Sequence, residues 1–253
     1  MPPAFIQFSK VQKAFGPKSI YTDLTLSVQK GEVLTLLGAS GAGKSVMLKL
    51  LIGLLEADAG AILVDGADVA RFNEEQFLPV RRRISMLFQG AALFDSLSIG
   101  ENVAYPLKVI GTFTPAQVKE RVSDRLEMVG LPGIEDMKPA DLSGGMRKRV
   151  GLARAIAGDP EMILYDEPTT GLDPLNTRRI NELILSIQKR LKVTSLVVTH
   201  DLASAFMVSN RLAMLSEGKI IAELPRDEFR KSHEKAIEEF ITAMPIAGPE
   251  ATQ

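Results

Sequence analysis

Eight consecutive residues constrain the fold of this chain more than any other part of its sequence. They are Gly38, Ala39, Ser40, Gly41, Ala42, Gly43, Lys44 and Ser45. They fit the pattern G-x-x-x-x-G-K-[ST] and stand between an apolar run typical of a buried strand and a second one typical of a helix. Glycines let backbone N–H groups converge on an anion, and a helix start adds positive partial charge. We call these eight residues the phosphate loop. The pattern predicts a strand before the loop, an anion-binding turn, and a helix after it that includes Val46.

The last two residues of the phosphate loop indicate what kind of phosphate it binds. Lys44 is placed to reach the terminal phosphates of a nucleoside triphosphate. The hydroxyl of Ser45 can bind the magnesium ion that a triphosphate brings with it. A glycine-rich turn without a ligand is the alternative, but the complete pattern between a strand and a helix favours phosphate binding.

Composition narrows the classes of protein to consider. The chain has 253 residues, of which 45% are hydrophobic, enough for a sizeable core in one large domain or two small ones. Thirty basic and 31 acidic side chains give a net charge of -1, so no overall field favours nucleic acid or anionic lipid as the main partner. The absence of cysteine excludes disulfides and cysteine-ligated metals.

The sequence offers little that would take the chain into or across a membrane. Its first five residues lack the charged start and apolar stretch of a secretory signal. The apolar window from Val46 to Leu55 is interrupted by Lys49 and falls short of the roughly 18 residues that span a bilayer. We expect a cytoplasmic chain that reaches a membrane only through a partner.

Alternating apolar and polar residues near the N-terminus predict antiparallel, half-buried strands around residues 6–8 and 24–28. Asp65 and Gly66 follow an apolar run and predict a hairpin that extends this flank. Phe15 lies between the first two strands, next to a glycine. It could be a platform on which a nucleotide base stacks, or a core residue at a strand end.

The stretch from residue 91 to residue 158 predicts helices separated by prolines, and therefore an inserted helical subdomain. Thr114 stands before Pro115 as a predicted helix N-cap. Near the end of this stretch, a second glycine-rich turn stands at a helix start: Ser143, Gly144 and Gly145. This turn can offer a hydroxyl and free N–H groups to an anion, although a plain helix cap is the commoner explanation.

Acidic residues follow a short apolar strand at residues 162–165. Open α/β sheets bind ligands at the carboxyl ends of their strands, so Asp166 and Glu167 are candidates for a site there. We predict that Asp166 lies on the magnesium side and that Glu167 accepts a proton from an attacking water. His200 follows another apolar strand and would contact a phosphate or water if the two strands are parallel. Turn or cap roles for the carboxylates, and a structural role for His200, are the alternatives.

Apolar spacing predicts further helices over residues 46–55 and 229–241, the second closing the fold with one apolar face. The basic run at residues 81–83 is typical of a solvated helix end rather than of a nucleic-acid site. Residues 245–253 are expected to form a flexible tail.

In this order, the motifs resemble the nucleotide-binding subunit of ATP-binding cassette (ABC) transporters over nearly the whole chain, to about Leu224. The resemblance implies an ATPase with ATP and Mg²⁺ as cofactors. The phosphate loop is then the Walker A motif, residues 162–166 are the Walker B strand, and Ser143 to Gly145 belong to the signature motif. The implied catalytic residues are Glu167, His200, Lys44 and Gln89.

The same resemblance implies several further contacts. Phe15 would stack on adenine, and the nucleotide contacts would run from Gly38 to Val46. Asp173 would belong to the D-loop. Magnesium would be bound by Ser45 and Gln89, and by Asp166 through a water molecule. Two copies would pair head to tail, each ATP lying between the Walker A motif of one copy and the signature of the other, and transmembrane permease subunits would dock near Gln89.

Some residues resemble one branch of the family in particular. Met146 stands where the common signature has glutamine, and residues 88–99 and 101–107 resemble the ATPases of Mla and Mce-associated phospholipid transport systems, the MlaF type. This branch implies phospholipid transport between membranes and a peripheral position on the cytoplasmic face of the inner membrane. It also implies an Mce-domain substrate-binding protein and a small cytoplasmic regulatory subunit as partners, and no nucleic acid.

The sequence thus predicts one α/β domain over residues 1–244. It is a P-loop NTPase core with a mainly parallel sheet flanked by helices, an antiparallel β flank and a helical subdomain at about residues 91–158. Alternative functions are an ATP-dependent regulatory or assembly module without transport, and an ABC ATPase for another substrate. A DNA-repair or ribosome-acting cassette would typically show a long coiled coil or two cassettes in one chain, and neither is visible.

Overall fold

The computed structural model describes residues 4–243, and within them ten strands form one sheet. The strands are β1 (Ala4–Phe15), β2 (Lys18–Gln29), β3 (Val33–Leu37), β4 (Ala59–Val64), β5 (Ala67–Asp68), β6 (Ile84–Leu87), β7 (Met162–Asp166), β8 (Thr194–Thr199), β9 (Arg211–Ser216) and β10 (Lys219–Pro225). Their order across the sheet is β5-β4-β1-β2-β10-β9-β3-β8-β7-β6.

Helices cover this sheet. They are α1 (Lys44–Leu51), α2 (Glu74–Arg83), α3 (Ile99–Ile110), α4 (Pro115–Met128), α5 (Gly144–Ile156), α6 (Pro174–Leu191), α7 (Leu202–Val208), α8 (Arg226–Phe229) and α9 (Lys235–Ala243). Thr114 accepts a hydrogen bond from the backbone of Gln117 and caps α4, which confirms the predicted N-cap. The basic run at residues 81–83 ends α2, also as predicted, and Arg83 pairs with Asp65 and Glu161.

Five neighbouring strands, β9, β3, β8, β7 and β6, are parallel and form the core of the sheet. The residues of β3, β7 and β8 are all buried, which explains their nearly unbroken apolar sequences. Leu37 pairs with Thr199, and Asp166 pairs with Val198. The carboxyl ends of β3, β7 and β8 therefore meet at one edge, as the sequence predicted for an α/β fold of this type.

The antiparallel flank is also confirmed. Strand β1 pairs with β2 on one side and with β4 on the other, and β4 and β5 form the hairpin around Asp65 and Gly66. This flank packs its apolar face with α1 in a cluster that includes Phe8, Leu26 and Leu48. It thereby places the start of β2 beside the phosphate loop.

Helices α3, α4 and α5 lie between residues 99 and 156 and share a second apolar cluster, which includes Val103, Leu126 and Val150. Leu87 and Tyr165 of the parallel sheet belong to the same cluster. The helical region is therefore packed on the sheet through α5. The predicted limits of the subdomain, residues 91–158, stay a prediction.

The helix after the phosphate loop is shorter than predicted. It ends at Leu51 rather than near Leu55, and Leu54 is exposed. Gly53 has a φ of +69°, and a Cβ atom at this position would lie 2.4 Å from the ring of Phe77. The chain therefore leaves the helix through a left-handed glycine against which an aromatic ring packs, a tertiary contact that apolar spacing does not reveal.

The prediction of one closing helix over residues 229–241 is wrong. Phe229 ends α8, and α9 begins only at Lys235. Between them the Ser232 hydroxyl accepts a hydrogen bond from the backbone N–H of Glu234, a local contact that competes with helical hydrogen bonding. Phe229 and Ile237 are still buried in one cluster, so the apolar pattern reflects packing across the break. The predicted tail, residues 245–253, lies outside the described residues.

Candidate nucleotide and magnesium site

The phosphate loop leaves the carboxyl end of β3, which lies between β9 and β8 in the parallel core, and ends at the first turn of α1. Lys44 is 5% exposed, and its Nζ donates to the carbonyl oxygens of Gly38 at 2.8 Å and Ala39 at 3.0 Å. These bonds curl the loop around the ammonium group. The loop thus combines a buried cation with the N-terminus of an eight-residue helix, the features that bind phosphate.

Two glycines allow other parts of the chain to approach the loop closely. A Cβ atom on Gly38 would lie 2.7 Å from the backbone oxygen of Leu215, and one on Gly43 would lie 2.6 Å from Ile20. Tyr21 donates from its hydroxyl to the Gly43 carbonyl oxygen at 2.5 Å. The loop is therefore held between β2 and β9 and is largely pre-formed.

Ser45 and Asp166 meet at the edge of the sheet. The Ser45 hydroxyl donates to Asp166 Oδ1 at 2.6 Å, and Asp166 is 6% exposed. Burial raises the pKa of Asp166 above its ordinary value, and the Ser45 hydrogen bond only partly offsets this effect. These are two hard oxygen donors side by side, and burial destabilises the carboxylate, so this pair of residues fits a Mg²⁺ site.

Asp166→Asn is expected to raise the stability of the protein and to weaken magnesium binding. Because folding raises the pKa of Asp166, its contribution to stability is fully present below the unfolded-state pKa and is lost as the pH rises through the folded-state value. At neutral pH, the neutral amide should therefore raise the thermal unfolding temperature of the nucleotide-free protein while weakening Mg²⁺-dependent ATP binding. Calorimetry in EDTA at pH 7 and at acid pH, together with ATP titration with and without Mg²⁺, measures both effects. A lower unfolding temperature at pH 7 would contradict the prediction.

Glu167 follows β7 directly and is 9% exposed. Its φ of +46° is rare for a residue with a side chain, and its backbone N–H donates to Val198 of β8 at 2.9 Å. Its Oε2 accepts hydrogen bonds from Thr170 Oγ1 at 3.0 Å and Thr199 Oγ1 at 3.2 Å. The carboxylate is therefore fixed beside the phosphate loop by two hydroxyl groups.

Two more side chains act on the charge of Glu167. His200 Nδ1 lies 2.9 Å from Oε2, and Lys44 Nζ lies 3.5 Å from Oε1. Burial alone would raise the pKa of Glu167, but the hydrogen bond and charge of His200, followed by the charge of Lys44, outweigh it and lower the pKa. Glu167 is thus ionised at neutral pH and can accept a proton.

Two other predicted site residues, Phe15 and Gln89, are more exposed than Glu167. Phe15 is 46% exposed at the end of β1, with Lys13 Nζ 5.3 Å from the centre of its ring. Gln89 is exposed in the loop that follows β6, at the same sheet edge as Asp166. Arg154 of α5 holds the continuation of this loop, because its guanidinium donates to the carbonyl oxygens of Ala91 and Ala92 at 2.7 and 2.8 Å.

The second glycine-rich turn, Ser143 to Gly145, lies at the start of α5. Ser143 caps the helix by accepting a hydrogen bond from the Met146 backbone at 3.3 Å. Gly145 packs on α6, since a Cβ atom there would lie 2.8 Å from Asn176 Oδ1. Asp173 caps α6 by accepting from the Asn176 backbone at 3.0 Å. Within residues 4–243, no hydrogen bond joins this turn to the phosphate loop, so the structure does not bring it into the site of its own chain.

Sequence reasoning missed several residues of the site. Thr170 and Thr199 bind Glu167, Tyr21 binds the phosphate loop, and Lys148 of α5 donates to the carbonyl oxygens of Glu167 and Thr170. Thr199 could have been found, because it ends a buried strand next to His200. The sequence carries no local signal for Tyr21 or Lys148, because their partners are 22 and 19 or more residues away.

Three features define a P-loop nucleotide hydrolase: a glycine-rich loop at the end of the parallel strand β3, a hydrogen bond from Ser45 to Asp166 at the end of β7, and the ionised Glu167 directly after Asp166. Comparison with known proteins narrows this class. The family model described as "ABC transporter" matches residues 21–170. The chain therefore belongs to the ABC transporter family, as its ATP-binding domain.

Curated relatives cover most of the chain. The probable ribonucleotide transport ATP-binding protein mkl of Mycobacterium leprae (strain TN) is 40% identical over 96% of this chain and 70% of its own length. The intermembrane phospholipid transport system ATP-binding protein MlaF of Haemophilus influenzae (strain ATCC 51907 / DSM 11121 / KW20 / Rd) is 38% identical over 226 residues, 86% of its own length. The methionine import ATP-binding protein MetN of Rhizobium johnstonii (strain DSM 114642 / LMG 32736 / 3841) is 39% identical over 86% of this chain.

Solved structures agree with the fold. A dimeric ATP-binding cassette in a post-hydrolysis state, bound to ADP and Pi, superposes with a TM-score of 0.80 at 29% identity and covers 87% of this chain and 98% of its own. The protein is accordingly an ATPase whose cofactors are ATP and Mg²⁺. Cassettes of this family dimerise and work with transmembrane permease subunits. No helix within residues 4–243 is long and apolar enough to cross a bilayer.

Proposed function

We propose that this chain is the ATP-hydrolysing subunit of a complex that moves phospholipid between membranes through separate permease subunits. The ionised Glu167, fixed between His200 and Lys44, is the observation that supports hydrolysis. The similarity to MlaF, together with Met146 and residues 88–99 and 101–107, which resemble the MlaF type, supports phospholipid as the cargo. Relatives of similar identity are named for methionine and Fe(3+) import. The identity of the transported molecule therefore most needs a test.

In the proposed mechanism, the chain positions the reactants and neutralises charge. Lys44 and the N–H groups of the phosphate loop bind the β- and γ-phosphates, while Phe15 stacks on the base. Ser45, with Gln89 and a water-mediated contact from Asp166, would hold Mg²⁺, which supplies positive charge at the phosphates when bound. Glu167 accepts the proton of the attacking water, and His200 orients that carboxylate and contacts the γ-phosphate.

We further propose that the site is completed by a second copy of the chain. The Ser143 hydroxyl and the N–H groups of Gly144 and Gly145 form a helix start suited to phosphate, yet no hydrogen bond of residues 4–243 joins them to the phosphate loop. In a head-to-tail dimer, this turn would contact the γ-phosphate on the partner, and Asp173 would lie at the interface. The dimeric relative supports this arrangement.

An exposed aromatic surface supports docking of a permease. Phe94 and Tyr105 are 42% and 45% exposed, and their ring centres are 4.8 Å apart. Val109, one turn after Tyr105 on α3, is 58% exposed. This surface follows Gln89 in the chain, so a partner bound to it could sense the nucleotide. Through that partner the chain would lie on the cytoplasmic face of the inner membrane, and an Mce-domain protein and a small regulatory subunit are further proposed partners.

Reconstitution of the chain with a permease partner in liposomes tests this function. We expect ATP-dependent movement of fluorescent phospholipid between liposomes, lost with Glu167→Gln in the same complex. Tyr105→Ser should lower the amount of chain that co-purifies with the permease while ATP binding by the isolated chain stays unchanged. ATP hydrolysis by the complex without lipid movement would favour the regulatory module, and movement of another solute would favour another cargo.

A further inference from the structure

Lys148 is a buried lysine on α5 that the mechanism above does not use. It is 6% exposed, and its Nζ donates to the backbone oxygen of Thr170 at 2.8 Å and of Glu167 at 3.2 Å. It lies five residues after Ser143, about 7.5 Å along the helix axis at the rise of an α-helix. One helix therefore carries both the signature serine and a cation that touches the backbone of the proposed base.

The segment that Lys148 binds is the turn that carries Glu167. The Thr170 backbone donates to the Glu167 carbonyl oxygen at 3.3 Å, and the Thr170 hydroxyl donates to the Glu167 carboxylate at 3.0 Å. Lys148 bridges the carbonyl oxygens at both ends of this turn. The turn needs such support, because Glu167 has a left-handed φ of +46° that a residue with a side chain rarely adopts.

A purely structural role explains this lysine poorly. Within residues 4–243, no carboxylate lies within ion-pair distance of its ammonium group. Burial lowers the pKa of Lys148, and the nearby charge of Glu167 only partly offsets this effect, so the charge is unfavourable for folding. An apolar side chain would fill the space without that penalty, but it could not bind two carbonyl oxygens of the turn.

We propose that Lys148 is a positioning residue that holds the turn from Glu167 to Thr170 and so keeps the carboxylate aimed at the phosphate loop. This inference rests on the proposed role of Glu167 as the base. Ser143 caps α5. A nucleotide that is held by the phosphate loop of the partner copy and contacts the turn from Ser143 to Gly145 would therefore act on the base through the same rigid helix. Lys148 then connects the two sites of the dimer.

Lys148→Met tests the proposal in the full-length protein, because it keeps the aliphatic stem and removes the donors. Arg149→Met is the matched control: Arg149 is the next residue of α5 and also donates to two carbonyl oxygens, those of Val129 and Gly130, away from Glu167. We expect Lys148→Met to lower kcat by about 10–100-fold, the range for loss of a residue that positions another residue of the site. KM and ATP affinity should stay nearly unchanged. Arg149→Met should keep kcat near wild type, and Lys148→Arg should recover part of the lost kcat.

A double variant separates positioning from a general structural effect. If Lys148 acts through Glu167, Lys148→Met combined with Glu167→Gln should be no slower than Glu167→Gln alone. Wild-type kcat in Lys148→Met, or a multiplied loss in the double variant, overturns the inference. Wild-type turnover in Glu167→Gln would instead overturn the proposed function. If circular dichroism shows that Lys148→Met is unfolded, Lys148→Gln, which has an amide donor, replaces it in the same single and double variants.

Discussion

Glu167→Gln is expected to keep ATP bound while turnover falls by about 10²–10⁴-fold, the range for loss of a positioned general base. The amide has nearly the shape of the carboxylate, so Thr170 and Thr199 can still donate to its oxygen. It cannot take a proton from water, however, and it removes the negative charge that His200 and Lys44 stabilise. Binding should therefore survive, and the ATP-bound dimer should accumulate because the nucleotide that joins the two copies is no longer cleaved.

Three measurements check this result: phosphate release at saturating ATP, titration with a fluorescent ATP analogue, and light scattering with and without ATP. Glu182→Gln is a suitable control, because it removes an exposed carboxylate on α6 whose only ion-pair partner among residues 4–243 is Arg178 of the same helix. It should leave turnover at the wild-type level. Turnover of Glu167→Gln equal to wild type would show that Glu167 is not the base.

Much of the fold could be predicted because its signals are local. The phosphate loop, the hairpin at Asp65 and Gly66, and the Thr114 cap each depend on a few adjacent residues with special backbone or capping chemistry. The parallel strands were visible as short apolar runs because both faces of β3, β7 and β8 are buried. Once these strands are adjacent, Asp166, Glu167 and His200 must lie at one edge of the sheet.

The features of the fold and the site that the sequence did not predict depend on contacts between distant residues. Apolar spacing could not show that α1 stops at Leu51, because Phe77 packs on Gly53 from another element. The same spacing suggested one helix from Phe229 to Ile241, since both short helices bury residues in one cluster. Lys148 has no recognisable sequence pattern at all. Its significance comes from the two carbonyl oxygens that the fold places beside it.

The proposed division of the phosphate-binding groups between two turns, one on each copy, makes a strong prediction about mixed dimers. Lys44 belongs to the phosphate loop, whereas Ser143 caps a different helix, and no hydrogen bond of residues 4–243 joins the two turns. If each site combines the Lys44 of one copy with the Ser143 of the other, a copy defective at Lys44 still offers a good signature turn. A copy defective at Ser143 still offers a good phosphate loop. One of the two sites in such a heterodimer is then intact.

Lys44→Met alone should lower turnover by about 100-fold or more, because it removes a phosphate-binding cation. Ser143→Asp alone should have an effect of the same size, because it adds a charge that repels the phosphate. Aspartate is itself a good N-cap, so Ser143→Asp should leave α5 folded, and Ser143→Asn provides a neutral control with the same capping ability. An equal mixture of the two defective copies should recover up to about a quarter of wild-type turnover, because half of randomly formed dimers are mixed and each has one intact site. Adding Ser143→Asp to the Lys44→Met copy removes the intact site and should abolish the recovery. If the mixture is only as active as its separate components, the two turns do not form one site across a dimer.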